Sequence, residues 1–213
     1  MRQLLSAIFA CFFAALGGGL AQAHPHILAT VTIDLLYAGD KVDAIRETWH
    51  YDPVYSAFLE NQSRAGRPSP LSDDELKALA EKQSSALSEF GYYTKVKAGG
   101  ETVSVGPAKD VRLISSASGE LALQFTLPLT SMAEGKHLSI AILDPQFFAY
   151  FTTSKTDGVR LIGANPTCRY AVTTPEMLDL KHTSTVPAAF WAALDGSLLE
   201  AEKFANRIDV SCP

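Results

Sequence analysis

The stretch Ile27-Leu28-Ala29-Thr30-Val31-Thr32-Ile33-Asp34-Leu35-Leu36-Tyr37 decides the fold class. Ile27, Ala29, Val31, Ile33 and Leu35 fall on one face, the period-2 pattern of a strand with one side buried. Ala38-Gly39-Asp40-Lys41 supplies turn residues, and Val42 to Tyr51 continues as a second apolar run. The two runs predict a β-hairpin.

Further along the chain, Asp52-Pro53 reads as an N-cap followed by proline at the first helical position, opening a short helix through about Asn61. Gln62 to Pro70 is rich in Arg, Gly, Ser and Pro and is expected to be a loop. Ser72 and Glu75 form a capping-box pattern, and Leu76, Leu79, Ala80, Gln83, Leu87 and Phe90 follow at helical spacing up to Gly91. Short strand-like runs come next: Tyr92 to Lys97, Thr102 to Val105, Val111 to Ser115, Leu121 to Leu127 and His137 to Leu143, with hairpin turns at Gly99-Gly100 and Ser118-Gly119. Phe147 to Thr152, Val159 to Ile162, Cys168 to Val172 and Arg207 to Cys212 add strands, and Pro187 to Phe204 reads as a final helix. The pattern predicts an α+β fold with a mainly antiparallel β-sheet, a sandwich or half-barrel, and two or three helices.

Ahead of the hairpin lies a segment of different character. Met1-Arg2-Gln3 is a short basic region, Leu4 to Leu16 is apolar, and Ala21-Gln22-Ala23 fits the small-residue rule for signal peptidase. Residues 1–23 are therefore expected to be a signal peptide, and 24–213 a single periplasmic α+β domain. The apolar run is short for a membrane span, so no membrane insertion is expected after cleavage. Cys11 would leave with the leader, and the pair Cys168 and Cys212 would form one disulfide in an oxidising compartment. The formal net charge is −5, and the basic residues are scattered along the sequence, which argues against nucleic acid as a partner.

Cleavage before His24 would place His24-Pro25-His26 at the new terminus, where an α-amine and two imidazoles share three residues. Such nitrogens suit nickel, cobalt, zinc or copper, whereas Pro25 has no N–H to give to a motif that wraps the first amides. His24 and His26 are thus candidate ligands for a divalent transition metal. Asp52 and Asp144, with His50 or Glu47, are candidates to complete the set. The competing reading is an ordinary solvated strand lead-in, with Asp52 and Asp144 as turn and capping residues. Asp52-Pro53-Val54-Tyr55-Ser56-Ala57-Phe58 and Asp144-Pro145-Gln146-Phe147-Phe148-Ala149-Tyr150 echo each other as D-P-x-aromatic-x-A-aromatic. That echo fits either a shared turn geometry or two carboxylates set equivalently beside one site. No nucleophile elbow, phosphate loop or dinucleotide fingerprint occurs, so no catalytic residues and no organic cofactor are expected.

Several stretches carry a family likeness: His24-Pro25-His26, Trp49-His50-Tyr51-Asp52 with Tyr55-Ser56-Ala57-Phe58, and Glu89-Phe90-Gly91-Tyr92-Tyr93-Thr94. Phe125-Thr126-Leu127-Pro128-Leu129, Asp144-Pro145 with Phe147-Phe148, and Phe204 to Ile208 running into Ser211-Cys212-Pro213 extend it. Through them the chain resembles the bacterial domain of unknown function 1007 family, also described as the periplasmic component of an uncharacterised ABC-type transport system. Members tend to be encoded beside a nickel/cobalt-type permease, so the resemblance implies a membrane metal permease as partner. Many members carry an acidic calcium-like loop. The equivalent Glu60 to Leu71 here has arginines and prolines instead, and calcium is not expected. Three functions follow as expectations: a metal-binding accessory protein of a transport system, a metal-free adaptor docking on the permease, and a copper oxidase with an N-terminal histidine brace.

Overall fold

The computed structural model describes residues 27–64, 70–134, 137–146, 148–174 and 205–213. The opening hairpin forms as its alternation predicts. Strand β1 (Ile27–Ala38) pairs antiparallel with β2 (Lys41–Tyr51) from Ala29 to Ala38, with Val31 opposite Trp49 and Ile33 opposite Glu47. Helix α1 (Pro53–Arg64) follows at once and runs one turn further than its sequence suggests. Helix α2 (Asp73–Ser88) begins with the complete capping box, Ser72 Oγ accepting from the Glu75 amide and Glu75 accepting from the Ser72 amide.

The remaining described strands are β3 (Thr94–Ala98), β4 (Glu101–Val103), β5 (Lys109–Ser115), β6 (Leu121–Glu134), β7 (His137–Ile142), β8 (Ala149–Thr152), β9 (Val159–Ile162), β10 (Arg169–Thr173) and β11 (Asn206–Ser211). They form two sheets. One has the order β5-β6-β2-β1-β8, with β9 also on β1, and the other has β10-β11-β7-β3-β4. Inward side chains of both sheets make one core, with Ile33, Ile45, Leu123 and Phe125 from the first meeting Val96, Ile140, Ile208 and Val210 from the second. The class is α+β, a mainly antiparallel sandwich with two helices among the described residues. The helix expected over 187–204 lies outside the described residues.

Two details differ from the sequence reading. β6 extends to Glu134, pairing Lys41 and Val42 of β2 past a bulge. β8 and β9 both run parallel to β1, at Ile27–Thr30 and Ile33–Leu36 respectively. Gly158 permits the second of these pairings. Its carbonyl accepts from the Ile33 amide at 2.8 Å, and a Cβ there would lie 2.5 Å from the Ser154 carbonyl oxygen.

Cys168 and Cys212 are joined in a disulfide that spans 44 positions and ties the start of β10 to the end of β11. No helix among the described residues is long and apolar enough to cross a membrane. Closing a loop of that length stabilises by about 4 kcal/mol when the effect is assigned to unfolded-chain entropy. Replacing both cysteines by serine is expected to lower the unfolding free energy by about that amount. Urea titration of the two forms measures it, and an unchanged midpoint would contradict a stabilising bond.

Candidate functional site

Three chain segments converge where β1 begins. Asp52 stands between β2 and α1, and its Oδ1 accepts from the amides of Val54 and Tyr55 at 2.8 and 3.0 Å, the N-cap geometry that its sequence suggests. Its Oδ2 accepts from the Leu28 amide at 3.1 Å, while its own amide donates to the Leu28 carbonyl. Asp144 stands between β7 and β8, only 1% exposed. Its Oδ1 accepts from the Gln146 amide and its Oδ2 from the Ala149 amide, both at 2.9 Å. Ala149 is the register partner of Ile27, whose amide donates to the Phe148 carbonyl. The internal echo thus has a structural counterpart. Each aspartate takes the amide two residues on and then reaches an amide at the start of β1 or of its neighbour β8.

A pocket of about 150 Å³ opens beside this junction. Its walls include Ile27, Trp49, Tyr51, Tyr55, Gln83, Tyr93, Asp144, Phe148 and Phe151. The aromatic rings form two groups. Trp49 lies 4.7 Å from Phe151 and 6.4 Å from Tyr93, while Tyr51 meets Tyr55 edge-on at 4.9 Å. Tyr51 donates its hydroxyl proton to Gln83 Oε1 at 3.1 Å, and the buried Gln83 Nε2 has no hydrogen-bond partner among the described residues. Phe58 stacks on Tyr55 and Phe90 on Tyr93, and these outer rings are 51% and 52% exposed. A larger groove of about 650 Å³ lies on the outer surface of the second sheet, beside Lys97, His137, Arg169 and Asp209. It is a shallow open face, whereas the smaller pocket has enclosing rings and a buried carboxylate.

The segment Phe90-Gly91-Tyr92-Tyr93 shapes this wall. The sequence suggests a strand from Tyr92, but Gly91, Tyr92 and Tyr93 all take left-handed backbone angles, with φ of 57°, 55° and 54°. β3 starts only at Thr94. Left-handed geometry costs an L-residue roughly 1–2 kcal/mol. The turn sends consecutive tyrosines in different directions. Tyr92 is buried near Phe125 and its hydroxyl accepts from the Ala108 amide at 3.0 Å, whereas Tyr93 faces the pocket. Burial pushes the Tyr93 hydroxyl up to about 12, with the nearby Asp144 charge and Tyr55 adding to it. Burial also raises Tyr51 and Tyr55, the latter assisted by Asp52.

Behind Trp49 sits Glu47, fully buried. Its Oε2 accepts from Trp49 Nε1 at 2.8 Å, and its Oε1 lies 2.8 Å from Thr94 Oγ1. Burial lifts this carboxyl to about 7, against the opposing effect of both hydrogen bonds. Thr94 Oγ1 also lies 2.9 Å from the Tyr92 carbonyl oxygen. One threonine proton serves two acceptors when Glu47 is ionised. A protonated Glu47 can instead donate to Thr94, which frees the threonine proton for Tyr92.

The sequence-derived candidates are therefore distributed as follows. Asp52 and Asp144 flank the first residues of β1. His50 is exposed, because the alternation of β2 turns it away from the core side taken by Trp49 and Tyr51. Glu47 is in the core and bound to Trp49 and Thr94. His24 and His26 lie outside the described residues. Among the described residues no three His, Cys, Asp or Glu side chains gather as a metal-holding group. The sequence pattern carries no signal for the pocket itself.

A family model described as a protein of unknown function, DUF1007, matches residues 9–212. The chain belongs to the DUF1007 family. No curated protein and no solved structure matches it. What this DUF1007 protein does must therefore be argued from its own residues.

The raised Glu47 carboxyl has a definite sign in stability. The folded state holds its proton up to about pH 7, while the unfolded chain releases it near the ordinary 4.5. Glu47 therefore contributes most below the unfolded value, and that contribution falls as pH rises toward 7. Glu47→Gln keeps an acceptor for Trp49 without the titration. Relative to wild type, the variant is expected to gain on the order of 3 kcal/mol between pH 4 and pH 8. Denaturant titrations of both proteins at the two pH values check this, and a pH-independent difference would refute it.

Proposed function

We propose that the protein is a periplasmic accessory component of a transition-metal transport system, and that it holds a divalent ion at a mature N-terminus beginning with His24. The supporting observation is the junction at β1. His26 precedes Ile27 directly, and Ile27 and Leu28 are flanked by the Asp144 and Asp52 turns. The α-amine and the imidazoles of His24 and His26 supply nitrogen ligands for nickel, cobalt, zinc or copper. A carboxylate offers about four lone-pair sites. Among the described residues Asp52 accepts from three backbone amides and Asp144 from two, which leaves each with acceptor capacity toward an ion. A membrane metal permease is the proposed partner, which would take the ion from this protein or deliver it.

Competitive titration with nickel, cobalt, zinc and copper tests the reading on protein beginning at His24, beside a form with one extra residue ahead of His24 and a His26→Ala variant. Stoichiometric binding is expected with the native terminus, weakened at least about tenfold in either altered form. It should also weaken at acid pH, because imidazole and amine must be deprotonated to coordinate. Absence of stoichiometric binding to the native form would overturn the metal reading.

A second reading is a metal-free adaptor that docks on the permease. The exposed rings of Phe58 and Phe90 beside the pocket favour it, since clustered exposed apolar side chains mark contact surfaces. Capture of the permease by metal-free protein, undiminished when His24 and His26 are both alanine, would select this one.

A further inference from the structure

We propose that the aromatic pocket at the β1 end of the sandwich binds a small methylated ammonium compound, a cation of choline or betaine size. The wall chemistry carries the argument. Trp49, Tyr51, Tyr55, Tyr93 and Phe151 all line one space, and their rings are variously inclined, with interplanar angles of 17° for Trp49–Tyr93, 56° for Trp49–Phe151 and 76° for Tyr51–Tyr55. Ring faces carry negative charge density and attract cations. Asp144 adds a buried carboxylate that accepts from the amides of Gln146 and Ala149, and no Lys, Arg or His lines the pocket among the described residues. The described walls therefore bring negative charge density to this space.

Size and hydrogen bonding narrow the ligand further. A cavity of about 150 Å³ is below the roughly 300–1,000 Å³ of drug-sized sites. A primary ammonium would bring three N–H donors into walls with few acceptors, and unmet donors are costly in such surroundings. A methylated ammonium brings charge without donors. Its apolar methyl groups can rest on the rings while the charge is balanced by Asp144. Gln83 also lines the pocket and brings an amide side chain to its wall. This site shares Asp144 with the metal reading but needs none of the terminal histidines, and chelator together with Tyr55→Leu keeps its test separate from that reading.

Calorimetry with choline, and with its uncharged isostere 3,3-dimethyl-1-butanol, tests the assignment on the protein as the cell produces it, in the presence of chelator. Saturable one-to-one binding of choline is expected, about tenfold tighter than the isostere. Tyr55→Leu removes one ring from the helix side of the pocket. It should weaken choline about fivefold and change the isostere by less than about twofold. Asp144→Asn should abolish the preference for the charged compound, and Tyr55→Leu keeps the test valid if that variant loses its turn and fails to fold. Equal affinity for choline and the isostere, no saturable choline binding, or choline binding unchanged by Tyr55→Leu would overturn the proposal. Failure of metal titration leaves these outcomes untouched.

Discussion

Everything at the candidate site depends on β1 being paired along both edges. One edge is covered by β2 over nearly its full length, while the other is shared between β8 and β9. A strand in that position has its backbone polar groups met from both sides, so its start cannot drift without loss of several hydrogen bonds. Asp52 and Asp144 reinforce the same end. Each satisfies amides of a turn that would otherwise be left without partners, and each attaches that turn to β1 or to β8 beside it. The close approach at Gly158 completes this edge, where any side chain would strike the Ser154 backbone.

The aromatic wall follows from this frame together with the left-handed turn. Two tyrosines in unfavourable backbone geometry need a compensating gain. Tyr92 supplies part of it by burying its ring and accepting the Ala108 amide, and the Leu143 amide donates to the Tyr93 carbonyl. That last bond joins the turn to the segment leading into Asp144. The strained turn, the buried carboxylate and the start of β1 thus form one connected unit. Glu47 reaches it from below through Trp49 and Thr94, so the protonation of a core group bears on two residues next to the pocket.

Much of the architecture was legible because local chemistry and tertiary context agree. The alternation of Ile27 to Leu35, the Ser72/Glu75 box and the cysteine pair each have a short-range or combinatorial signature. The left-handed turn has none of that kind. Tyr92-Tyr93 has high strand propensity, and only packing decides that the chain should turn there first. Parallel pairing of β8 and β9 with β1 is likewise a long-range choice that no periodicity encodes. Glu47 was half legible, since the phase Ile45, Glu47, Trp49, Tyr51 assigns it to the inner face. What the pattern lacks is the pair of partners, one of them 47 positions away, that makes such a burial tolerable.

The two roles considered for Asp144 make different physical demands. Coordination is directional and needs a lone pair aimed at the ion, with basicity undiminished by other donors. Attraction of a methylated ammonium needs charge at short range but no particular lone pair. Two amide bonds fix the Asp144 carboxylate and occupy part of its acceptor capacity, yet leave its negative charge in place. Its solvent exposure is 1%, so that charge is poorly screened toward the pocket. A group held in this way is better suited to set the potential of a cavity than to act as the principal ligand of a metal.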